Sequence, residues 1–146
     1  MEHTDSTHYY TGYERLVQNN SNINPTFKCS NSNDLYTVSG SSKENKKLTN
    51  PIGLITADEV VMAGGSWNSE NSSYYLYNNK YYWTMSPYYF DPSYPYPRSH
   101  VFLVYSSGLL NDYIVDSTRG VRPVINLSRD VVIKSGNGTS STPYEI

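Results

Sequence analysis

The sequence predicts an α+β domain with one or two short helices, several short antiparallel strands and long loops. Two observations carry this. A single capped helical stretch stands near residue 56, and short β-type runs broken by Gly, Pro, Asn and Ser fill the chain after it. The length of 146 residues fits one domain with a real core. Residues 1–34 are polar and Asn-rich, so they read as a partly ordered extension with a helical turn near Tyr13–Gln18. The folded unit then spans 35–146, opening on the β-type run Leu35-Tyr36-Thr37-Val38 and a polar loop, Ser41 to Asn50.

Thr56-Ala57-Asp58-Glu59 is a capping box, with the Thr56 hydroxyl and the Glu59 carboxylate each able to satisfy the other residue's amide. Gly64-Gly65 stops the helix. Tyr81 to Ser86 reads as a strand ended by Pro87, and Tyr88 to Arg98 as irregular chain, because Pro92, Pro95 and Pro97 cannot donate to a ladder. His100–Tyr105 and Leu109–Val115 flank Ser106-Ser107-Gly108, a hairpin signal. Gly120 to Leu127 is a further strand whose Pro123 favours an edge or a bulge. Val131-Val132-Ile133 follows as a last β-type run, and Gly136-Asn137-Gly138 turns the chain into its tail.

Charge and motif content narrow the function. Net charge is -2, with no block of like charge, which excludes a phosphate-driven nucleic-acid binder. No apolar run is long enough to span a membrane. Cys29 is the single cysteine, and His3, His8 and His100 form no ligand-like pair, so neither a metal nor a cofactor is expected. No nucleophile elbow or phosphate loop occurs, and the chain reads as a non-enzyme. Arg122, inside an apolar strand, needs a carboxylate or several carbonyls; Asp58 and Glu59 are the carboxylates considered. No signal peptide follows Met1, which fits a cytoplasmic or phage-borne protein, or a domain taken from the end of a longer exported one.

Tyrosine is the informative residue. Residues 74–113 hold 11 of the 16 tyrosines and few charges. Tyrosine gives a large, fairly rigid, amphipathic surface at low rotamer cost, the composition of recognition faces. The alternative for any one ring, above all Tyr82 or Trp83, is the core. The candidate contact residues are Tyr88, Tyr89, Asp91, Tyr94, Tyr96, Arg98, His100, Tyr105, Leu110, Asp112, Tyr113 and Asp116.

Several phrases together carry a family resemblance: Ile52-Gly53-Leu54-Ile55-Thr56-Ala57-Asp58-Glu59, Ala63-Gly64-Gly65, Tyr82-Trp83 with Ser86-Pro87, Gly120-Val121-Arg122-Pro123-Val124-Ile125-Asn126-Leu127, and Gly136-x-Gly138-Thr139 with Pro143-Tyr144. Residues 28–146 resemble a C-terminal domain of Gram-positive gut bacterial and phage surface proteins. That domain is similar in layout to the C-type-lectin-like fold of the formylglycine-generating-enzyme type, which variable proteins of diversity-generating retroelements also use. The resemblance implies a surface-exposed or phage-associated receptor or adhesin whose partner is a protein or glycan surface.

Adenine-directed diversification of AAC or AAT codons cannot yield Lys, Glu, Gln, Trp or Met. Those types occur 18 times in this chain, and none falls between Ser86 and Ile133. Under this reading Trp83, Ser86-Pro87, Gly108 and the Gly120–Leu127 strand are scaffold, and the candidate contact residues, with Leu103 and Ile114, vary. The alternative is a fixed-specificity glycan module in which Trp83 and nearby tyrosines stack on sugar rings. The lone Cys29 departs from the cysteine pattern of the enzymes in the family, and the calcium-ligand motifs of sugar-binding lectins are lacking.

Overall fold

The computed structural model describes residues 7–8, 10–18, 22–28, 49–50, 52–92, 95–139 and 141–146. Among these, six strands form a mixed sheet. β4 (Tyr82–Asp91), β5 (Arg98–Val104) and β6 (Leu109–Ile114) are its antiparallel centre. β1 (Thr7–His8) joins β4 antiparallel, β3 (Ser66–Trp67) joins β6 parallel, and β7 (Gly120–Val121) joins β4 parallel. β2 (Ile52–Leu54) and β8 (Pro123–Ile125) make a separate antiparallel pair. With two short α-helices, α1 (Tyr10–Tyr13) and α2 (Ala57–Met62), the domain is α+β.

The local signals explain their elements. Glu59 N donates to Thr56 Oγ1 at 3.1 Å and Thr56 N donates to Glu59 Oε2 at 2.7 Å, the expected reciprocal cap of α2. Gly64, at φ +102°, ends the helix. The β5–β6 hairpin turns where expected: Tyr105 N donates to Leu109 O, and Gly108 N donates to Tyr105 O. Gly108 has φ +82°, and a Cβ there would stand 2.1 Å from Asn71 O, so both conformation and space demand glycine.

Pro87 does not end its strand. The ladder between β4 and β5 shifts register on both sides of Pro87 and continues to Asp91 paired with Arg98. A bulge tolerates a residue without an N–H, and Thr84 fills the irregular stretch by donating its hydroxyl to Phe102 O at 2.8 Å. The same stretch seats α2. Ala57 N donates to Ser86 Oγ at 3.0 Å, and Met85 N donates to Ile55 O at 2.9 Å.

Three other expectations are corrected. Gly120–Leu127 is not one strand, because the chain leaves β4 after Val121 and pairs Pro123–Ile125 with β2 instead. Val131-Val132-Ile133 is exposed and forms no strand, although Ser135 and Glu145 do bridge across the turn that follows. Arg122 uses neither Asp58 nor Glu59. It donates to Leu76 O and lies 5.3 Å from the centre of the Tyr82 ring.

Asp58 is taken by the N-terminal segment, which sends Leu16 into the core and packs Tyr13, Val17 and Ile23 against it. Arg15 grips Asp58 with Nε and Nη2 at 3.0 and 2.9 Å, and Thr26 N donates to the same carboxylate. Leu16, in the π-helical stretch Glu14–Gln18, is fully buried with Val60, Phe102, Val104 and Leu110. Each such side chain contributes about 1.5–3 kcal/mol of apolar burial. The Leu35–Val38 run and Cys29 lie outside the described residues.

Candidate functional site

Register divides the central sheet into two faces, since paired residues point the same way. Tyr82, Val104 and Leu110 share one face, as do Phe102 and Asp112, and His100 and Ile114. The α1 segment covers this inner face, with Gly12 so close that a Cβ would lie 3.0 Å from the Phe102 ring. Trp83, Leu103 and Asn111 share the outer face, as do Pro87, Val101 and Tyr113.

The twelve candidate residues separate on this frame. Leu110 is fully buried and Tyr88 is 8% exposed, so neither offers the surface expected of it. Leu103 is likewise fully buried. The bulge explains Tyr88: the register shift between Pro87 and Tyr89 lets the rings of Tyr88 and Tyr89 stand 5.2 Å apart. The Tyr88 ring stacks on Trp67 at 5.0 Å and meets Phe102 and Tyr13 edge-on. Burial, then the Asp112 charge, pushes its hydroxyl pKa well up.

Tyr89, His100 and Asp112 form a second group at the rim of the inner face. His100 Nδ1 lies 2.7 Å from Asp112 Oδ2, and the imidazole is 4.3 Å from the Tyr89 ring centre. Both members of the pair are largely shielded, at 14% and 18% side-chain exposure. This is a cross-strand diagonal contact, which strand pattern alone does not reveal. The contact fixes the orientation of the imidazole between β5 and β6.

Tyr105 and Tyr113 belong to the outer face and gather two residues that sequence reasoning missed. The Arg119 guanidinium carbon lies 4.8 Å from the Tyr113 ring centre and 5.6 Å from that of Tyr81. Tyr81 in turn meets Tyr105 at 5.2 Å. Arg119 Nη1 donates to Thr118 O, while its buried Nε has no hydrogen-bond partner among the described residues. Arg119 escapes a pattern search because it sits on a loop, where no period applies. The Tyr105 hydroxyl donates to Asp112 O, and burial followed by the Asp112 charge raises its pKa.

The remaining candidates lie at the far end of β4 and β5. Tyr96 is 73% exposed, Arg98 and Asp116 are exposed, and Asp91 is half-buried opposite Arg98. Arg98 and Asp116 border one small cleft of about 90 Å³ with Ile114. Tyr94 lies outside the described residues. Among the described residues, no cluster of His, Cys, Asp and Glu could hold a metal ion, and no helix is long and apolar enough to cross a membrane.

Comparison with family models, curated proteins and solved structures finds no match. The functional reading therefore rests on the side chains and their placement.

Proposed function

We propose that this domain is a ligand-binding module of C-type-lectin-like layout. In this reading it contacts a protein or glycan surface through the outer face of β4–β6 and the Tyr96–Arg98 end. One observation carries the reading: Tyr81, Tyr105, Tyr113 and Arg119 form a contiguous aromatic–guanidinium cluster, and none of them belongs to the buried core. Tyrosine and arginine are the residue types that dominate binding energy at interfaces, and here they are preassembled by ring and cation contacts. Tyr96, Arg98 and Asp116 extend the surface with side chains the core does not use.

Association is the whole of the proposed activity. The setting is a cell surface or a phage particle. Under retroelement diversification the varying positions are the exposed ones, and Tyr88, Leu103 and Leu110 are scaffold because a polar replacement in the core would unfold the domain.

The test is a paired screen on protein and glycan arrays. One sample is the native chain and the other carries Tyr96→Ser, Arg98→Ser and Tyr113→Ser. A ligand held by the native chain and lost by an equally stable triple variant supports the face. Undiminished binding by the variant overturns it. Retention on glycans alone selects the fixed glycan module over a protein receptor.

A further inference from the structure

A second site stands apart from that face. A cavity of about 330 Å³ opens near the start of β4, between the chain before it and the C-terminal tail. Tyr75, Leu76, Arg122, Gly138, Thr139 and Tyr144 border it. The volume is at the lower end of the range for small-molecule sites, the size of a single ring with its substituents.

Arg122 gives the cavity its charge. Arg122 is half-buried, and its guanidinium is held by one neutral carbonyl, that of Leu76, and by the face of Tyr82. The ion pairs among the described residues are Arg15–Asp58, His100–Asp112 and Arg129–Asp130, so none of them neutralises Arg122. A shielded cation without a counter-ion is costly, and its planar fork of five donors matches a carboxylate.

The walls are aromatic and positioned by one glycine. The Tyr75 hydroxyl donates to Gly138 O at 3.2 Å. Gly138 has φ +78°, and a Cβ there would stand 2.7 Å from the Tyr144 ring. Both tyrosines therefore converge on this turn beside Arg122, although Tyr75 and Tyr144 are 71% and 55% exposed. Exposed rings held in place around a cation that has no counter-ion among the described residues are better explained by a ligand than by packing.

We propose that this cavity binds a small carboxylate carried on a single ring. The carboxylate pairs with Arg122, and the ring lies against Tyr75 and Tyr144. An acidic sugar and an aromatic acid share this chemistry, and the probes separate them.

The experiment titrates the full chain with glucuronate, benzoate and glucose, following backbone amide shifts by NMR. Saturable binding of glucuronate or benzoate, with shifts centred on residues 75–76, 122 and 138–144, is expected; glucose should not bind. Whichever acid binds more tightly names the source. Tyr144→Ala, at an exposed position, should weaken the acid about tenfold with little change in melting temperature. Gly138→Ala, which drives the Tyr144 ring aside, should weaken the acid as well, but with a lower melting temperature because its φ is +78°. Arg122→Lys tests the fork geometry, but it also loosens the Leu76 contact, so the Tyr144 variant decides. Equal binding of glucose and glucuronate, absence of saturable binding by both acids, or full affinity in Tyr144→Ala would each overturn the proposal.

Discussion

Tyr88 places its ring against Trp67, Phe102 and Tyr13, so Tyr88→Ala should cost about 3–5 kcal/mol in urea denaturation. Tyr96→Ala should stay within about 0.5 kcal/mol, because the residue is 73% exposed. The two tyrosines share one Tyr- and Pro-rich run, and nothing in that run separates them. What separates them is the bulge at Pro87, a consequence of pairing with β5. Burial also predicts a pH dependence. Tyr74 and Tyr88 have pKa values raised above the ordinary 10.0, Tyr74 by burial and then by its hydrogen bond to Tyr82, Tyr88 by burial and then by the Asp112 charge. The unfolded chain loses these protons near pH 10 while the folded chain keeps them. Their contribution is therefore intact below about pH 10 and falls above it by about 1.4 kcal/mol per pH unit for each tyrosine. Denaturation at pH 9 and pH 11 should show the loss, and Tyr88→Phe should remove one of the two contributions.

At the scale of elements, α2 is fixed at its first turn. Thr56→Ala breaks the capping box and should cost about 1 kcal/mol by urea denaturation. Ser86→Ala removes the acceptor of the Ala57 amide and should cost about 1–3 kcal/mol, although Ser86 lies on a strand and not on the helix. The capping box and the β5–β6 hairpin were legible because each is written within a few consecutive residues. The course of β4 was not. A proline in a β-type run reads as a stop, and only the distant Phe102 carbonyl and the α2 amide show what Thr84 and Ser86 do there. Likewise, two consecutive apolar stretches around Arg122 read as one strand, because the switch of partner from β4 to β2 has no local signature.

For the whole molecule, the core draws on residues before 35 as well as after it. Polar composition made 1–34 read as an extension, yet Leu16, Gly12 and Arg15 close the inner face against Phe102 and Asp58. A chain lacking residues 1–34 should melt without a cooperative transition and bind ANS, where the full chain melts sharply. Tyrosine density singles out residues 74–113 but does not sort their rings into buried and exposed. Composition cannot tell which side of a sheet a ring occupies, nor that a loop arginine will cover it. The proposed binding role requires a fixed core that carries a face whose side chains the fold does not need. Saturation mutagenesis of residues 88–118 on a displayed full chain, scored by protease resistance, tests it most directly. Broad tolerance is expected at Tyr96, Arg98, Tyr113 and Asp116, and intolerance of polar residues at Tyr88, Phe102, Leu103 and Leu110. Intolerance spread evenly over both sets would contradict it.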